Sequence, residues 1–94
     1  MIQLSFLLGN ILIKFWIEGK TIYYQDPKQK KIQIIPESND LAELKKNPRL
    51  TKAFTLRGKD LEDYNNAKTE EDIAEIIKRD CRRMTMKLIR EVKE

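Results

Sequence analysis

Apolar and polar residues alternate along the first third of the chain, in four short runs between Ile2 and Ile35 separated by turn-forming residues. Alternation of period two marks a strand with one buried face. Gly9-Asn10 and Gly19-Lys20 divide the first three runs, and each puts Gly at the first central position of a two-residue loop, where a primed hairpin turn needs positive φ. If Leu8 faces Ile11, then Phe6 faces Ile13, Leu4 faces Phe15 and Ile2 faces Ile17, every one apolar and on one side. The second turn sets Ile17 against Ile22 and Phe15 against Tyr24, so one hydrophobic face spans three strands.

The third loop contains Asp26-Pro27-Lys28-Gln29-Lys30, and register decides its parity. An even loop would bury Lys31 and Gln33, because a slip of one residue exchanges the faces of a strand. An odd loop pairs Gln25 with Lys31 and sends Ile32 and Ile34 to the apolar side, which is the expected arrangement. Pro27 belongs between strands, since it cannot donate a ladder hydrogen bond.

The opposite face carries Gln3, Ser5, Leu7, Leu12, Lys14, Trp16, Glu18, Thr21, Tyr23, Gln25, Lys31, Gln33 and Ile35. Trp16 falls opposite Tyr23. Ordinary cross-strand packing accounts for such a pair; with Lys14 and Lys31 beside it, the same pair has the chemistry of a sheet-face platform on which nucleic-acid bases stack.

Beyond Pro36 the period changes. Ser38-Asn39-Asp40 offers N-cap residues, and Asp40 with Glu43 forms a capping-box pattern for a short helix through Leu41 and Leu44 to about Lys46. Pro48 then opens a second helical turn carrying Leu50, Ala53 and Phe54 inward, with Leu56 beside them and Gly58 ending it. A further turn over Asp60 to Asn66 would hold Leu61 and Tyr64. Thr69 followed by Asp72 marks another helix start, and no Gly or Pro occurs from Glu70 to the end. Ile73, Ile76, Ile77, Cys81, Met84, Leu88 and Val92 are spaced by three and four, with Ile89 beside them. This spacing predicts one long C-terminal amphipathic helix packed on the sheet or on a dimer mate. The expected fold is a single α+β domain, with a four-stranded antiparallel β-meander over residues 1–36 and a helical part over 37–94.

Charge sharpens the picture by its distribution. The net formal charge is +4 over 94 residues, but residues 1–36 carry +3, residues 37–77 carry −3 and residues 78–94 carry +4. Arg79, Arg82, Arg83, Lys87 and Arg90 form one basic cluster; Lys45, Lys46, Arg49 and Lys52, continued by Arg57 and Lys59, form another. Such clusters attract phosphate backbones or acidic protein surfaces, although solvation and intrahelical pairs such as Glu75 with Arg79 also account for charged helix faces.

The chain has no histidine, which removes the commonest general base and metal ligand. Its one cysteine, Cys81, falls on the apolar stripe, reading as a buried thiol and as a sign of a reducing, cytoplasmic compartment. Gly19-Lys20-Thr21 lacks the earlier Gly of a phosphate-binding loop, with Lys14 in its place. The carboxylates at Asp60, Glu62 and Asp63 and at Glu70, Glu71 and Asp72 lack the Gly-containing frame of a calcium loop. Gln3, Asn10, Lys14 and Glu18 interrupt any membrane-spanning window. No enzyme activity, cofactor or metal is expected. Two functions are. The first is a small nucleic-acid-binding or regulatory protein whose basic helix faces contact phosphates. The second is a homodimeric interaction module or inhibitor, of a viral or mobile-element type, that occupies a partner protein's surface and extends its sheet across subunits from the edge at Ile2 to Leu8 or at Lys31 to Ile35.

Overall fold

The computed structural model describes residues 1–25, 31–36 and 56–94. Strands β1 (Ile2–Leu8), β2 (Ile11–Glu18), β3 (Thr21–Gln25) and β4 (Ile32–Ile34) make the meander; helices α1 (Lys59–Asn66) and α2 (Glu70–Arg83) precede a fifth strand, β5 (Lys87–Lys93). All five strands join one antiparallel sheet in the order β4-β3-β2-β1-β5.

The meander follows the register written in its turns. Ile2 pairs with Ile17, Leu4 with Phe15, Phe6 with Ile13 and Leu8 with Ile11, then Phe15 with Tyr24 and Ile17 with Ile22. Gly9 and Gly19 adopt φ of 60° and 62°, while Asn10 and Lys20 stay out of the positive region. Positive φ at the first central residue alone is the type II′ arrangement, whose twist matches that of the flanking strands. Tyr24 pairs with Ile32 and Ile22 with Ile34, the register of an odd third loop.

The C-terminal region departs from expectation: the single long helix is two elements. Helix α2 begins at the Thr69–Asp72 capping box and buries Ile73, Ala74, Ile76, Ile77 and Cys81, then stops at Arg83. The chain reverses through Met84-Thr85-Met86, with Thr85 at φ 60°, and runs back along β1 as β5. A Thr in left-handed geometry costs roughly 1–2 kcal/mol. The sheet offsets it, because without β5 the seven residues of β1 would present a row of unpaired backbone groups at an apolar edge. Val92, Ile89 and Leu88 suit a strand as well as they suit a helix stripe. Leu88 and Ile89 are consequently exposed, at 38% and 48%, and not buried as a helix stripe would require. The register shifts between Ser5 and Phe6, so that Arg90 and Leu88 are paired and Ile89 sits in the bulge. At the open end of this pair the Glu94 N–H donates to the Met1 carbonyl (2.8 Å), and the Met1 ammonium donates to the Glu94 carbonyl (3.0 Å). β1 is therefore an interior strand, and the cross-subunit edge expected there is filled by the chain's own C-terminal segment.

The core lies between the apolar face and α2. Ile2, Leu4, Phe6, Leu8, Ile13, Phe15, Ile17, Ile22, Tyr24 and Ile34 from the sheet meet the buried face of α2, together with Leu56 and Met86. Phe6 and Phe15 pack edge to face at 5.8 Å, and Tyr24 continues the row. Helix α1 covers the flank with Leu61 and Tyr64, both partly buried against the core. No helix among the described residues is long and apolar enough to cross a membrane. The loop at Asp26 to Lys30, the helix expected from Asp40 and the turn opened by Pro48 lie outside the described residues.

Candidate functional site

Strand alternation carries Gln3, Ser5, Leu7, Leu12, Lys14, Trp16 and Tyr23 to the face opposite the core, and β5 extends that face beyond β1. Three cross-strand rows result. One runs Gln33, Tyr23, Trp16, Gln3, Val92; the next runs Gln25, Lys14, Ser5, Arg90; the third joins Leu12, Leu7 and Lys87. Both described helices pack on the other side. The aromatic pair of β2 and β3 thus shares a surface with Lys14 and with Lys87 and Arg90, which are far away in sequence.

Lys31 holds its ammonium 5.0 Å from the Trp16 ring centroid and 4.4 Å from that of Tyr23, and the Glu18 carboxylate lies 3.7 Å from it. A cation over two π-faces gains from their negative quadrupoles, by about 0.5–1 kcal/mol at an exposed site. It also occupies the space into which a flat ligand would stack. Among the described residues no carboxylate pairs with Lys14, Lys87 or Arg90. Ser5, only 5% exposed, stands between Lys14 and Arg90 in their cross-strand row.

The basic residues of α2 have other partners. Asp60, 4% exposed, accepts hydrogen bonds from Arg79 Nε (3.0 Å) and Nη2 (2.6 Å) on one oxygen and from Arg83 Nη1 (2.7 Å) on the other. Arg79 Nη2 also donates to Asp63 (2.7 Å). These charge-assisted bonds clamp α1 to α2 and compensate for burying the Asp60 charge. Arg79 beside it holds the Asp63 carboxyl below the usual range. Burial first, then the neighbouring Asp60, pushes the Asp80 carboxyl up to about 6. The helix pair expected between Glu75 and Arg79 is replaced by Lys78, which bridges Glu75 (3.1 Å) and Glu91 of β5 (2.8 Å). Arg82 is exposed.

The β2–β3 turn fixes the helices to the sheet. The Lys20 ammonium donates to the Tyr64 carbonyl and to that of Ala67 (3.3 Å), the Tyr64 hydroxyl donates to the Lys20 carbonyl, and the Gly19 N–H donates to Glu70 (2.7 Å). A cation at the carbonyl end of α1 and a carboxylate in the first turn of α2 both match the helix dipoles. The cleft of about 270 Å³ between α1 and α2 is lined by Asp63, Asp72, Glu75 and Arg79 with Asn66 and Ile76, a predominantly acidic surface unlike the outer sheet face.

Of the residues marked in the sequence, the fold brings Trp16, Tyr23, Lys14, Lys31, Lys87 and Arg90 together, and sets Arg79, Arg82 and Arg83 apart on α2. Lys45, Lys46, Arg49 and Lys52 lie outside the described residues. Sequence reasoning missed Ser5 and the clamp on Asp60. The second had a signal, since Asp60 and Asp63 are three apart, as neighbours on one helical face are, and Arg79 and Arg83 are four apart. Comparison with protein-family models, curated proteins and solved structures finds no match.

Proposed function

We propose that the protein binds nucleic acid through the outer face of its sheet, with Lys14, Lys87 and Arg90 contacting phosphates beside the Trp16–Tyr23 pair. The observation that carries this reading is the pairing of β5 with β1, which joins basic residues from the two ends of the chain to the aromatic pair on one surface. Lys14, Lys87 and Arg90, with no carboxylate partner among the described residues, can release counterions from a phosphate backbone. Arg79 and Arg83 spend their charge on Asp60, so the helix contributes less than its composition suggests.

The test is a titration of labelled nucleic acid read by fluorescence anisotropy at several salt concentrations. Replacing Lys14, Lys87 and Arg90 together by Gln is expected to weaken binding at least roughly tenfold at moderate salt and to lower the log–log salt slope by about 2–3, whereas Arg82→Gln leaves both unchanged. A salt-independent affinity, or an Arg82 variant as impaired as the triple one, would overturn it. A second reading, a homodimer joined edge to edge, is favoured by the exposed Leu88 and Ile89 on edge strand β5. Sedimentation equilibrium checks it: a dimer that Ile89→Lys converts to monomer supports this reading, and a monomer at every concentration removes it.

A further inference from the structure

From the same face, and resting on the reading just given, we infer a ligand class: single-stranded nucleic acid, with unpaired bases stacked on Trp16 and Tyr23 and a phosphate seated between Lys14 and Arg90 above Ser5. Three observations point there. The first is the aromatic row itself. Trp16 and Tyr23 are direct cross-strand partners on the outer face, both partly exposed, and both rings are reached by the single Lys31 ammonium. Bases inside a duplex are already stacked on one another and cannot meet such rings; unpaired bases can, and every base has a π-face.

The second is Lys31. Its ammonium is poised over both rings, at 5.0 and 4.4 Å from their centroids, and among the described residues its one carboxylate contact is Glu18 at 3.7 Å. That position marks where the rings attract a flat electron-poor partner. A base entering there displaces the ammonium, which is then free to meet the phosphate attached to that base. The cation thus shields the apolar rings in the free protein and keeps its charge at the site when the strand is bound.

The third is the neighbouring row. Ser5 is a small residue between two long basic ones, with strands about 4.8 Å apart, so the Lys14 and Arg90 backbones stand about 10 Å from each other in one row. An anion over this row would be within reach of both cations. The row lies two residues along β2 from Trp16, about 7 Å away, so a strand whose bases lie on the aromatic row passes its backbone over the basic one.

Trp16 is the only tryptophan in the chain, so its fluorescence reports stacking directly. The experiment titrates the full chain with single-stranded oligo(dT) and oligo(U) of about 12 nucleotides, and with a duplex of equal length, following Trp16 emission and the anisotropy of end-labelled strands. Expected are quenching by both single strands, none by the duplex, and single-strand affinity at least about tenfold higher. Trp16→Ala lowers single-strand affinity by about 5- to 150-fold, and Trp16→Phe, which keeps a ring, restores most of it. Ser5→Glu, which puts a negative charge between the two cations, weakens single strands similarly. Equal binding of duplex and single strands without quenching would overturn the stacking assignment while leaving a nucleic-acid-binding sheet face intact. No binding of any strand would overturn both.

Discussion

The two faces of the sheet are made from the same strands and differ in what covers them. On the inner face Phe15 sits between Phe6 and Tyr24 under α2, wholly removed from solvent. One residue further along β2, Trp16 is half-buried on the outer face, with Lys31 above it and no described helix upon it. Across β1 to β4 the described inner face is apolar, whereas the outer mixes rings, aliphatic chains, amides and charged groups. Close packing rewards the first composition and gives nothing to the second, which instead has the directional and charged groups that recognition uses. The packed face and the charged face are separated by the thickness of a strand.

Truncating one aromatic on each face should separate the two most strongly. Phe15→Ala is expected to cost about 3–5 kcal/mol of unfolding free energy in urea titrations, because it leaves a cavity in the middle of the core. Tyr23→Ala, on the outer face, is expected to cost less than about 1 kcal/mol, the scale of a cross-strand pair. Equal costs would show that the outer face is also packed and is no surface at all.

The clamp between α1 and α2 allows a finer test, by pH. The Asp80 carboxyl, pushed up to about 6 by burial and by Asp60, binds its proton more tightly in the folded than in the unfolded chain. It therefore adds stability that is complete in acid and is lost as the pH rises through about 6. Asp63, Glu70 and Asp72 are held low by Arg79, by the Gly19 N–H and by the Lys68 N–H respectively, and act in the opposite sense, losing their contribution as the pH falls. Asp80→Asn is expected to raise unfolding free energy by roughly 1–2 kcal/mol at about pH 7.5 and by almost nothing near pH 4. A gain of equal size at both pH values would mean that ionisation of Asp80 is not its source.

The smallest expected effect is at the reversal into β5. Thr85→Gly removes the left-handed strain at φ 60° and is expected to stabilise by ~0.5–1 kcal/mol, seen as a rise of a few degrees in Tm. Binding should be unaffected, because the change leaves Lys87 and Arg90 on the outer face. A destabilised variant would indicate that the Thr85 hydroxyl bond to the Met84 carbonyl outweighs the strain.

What the sequence determined by itself was the meander, down to its register. Gly9 and Gly19 set the turns locally, and the alternation of Ile2 to Ile34 admits one pairing that puts Ile2, Leu4, Phe6, Phe15, Ile17 and Ile22 on one side. The start of α2 was equally local, since Thr69 and Asp72 lie within one turn of each other. The fate of Met84 to Lys93 was not. Its apolar residues fit a helical stripe, no Gly or Pro marks the stop, and the deciding contribution comes from β1, eighty or more residues from its partners in sequence, whose edge needs hydrogen-bond partners. Only the tertiary structure could settle that competition, because a strand gains its hydrogen bonds from a neighbour and a helix from itself. The same pairing moved Lys87 and Arg90 from a helix flank to the sheet, beside residues with which their sequence positions showed no connection.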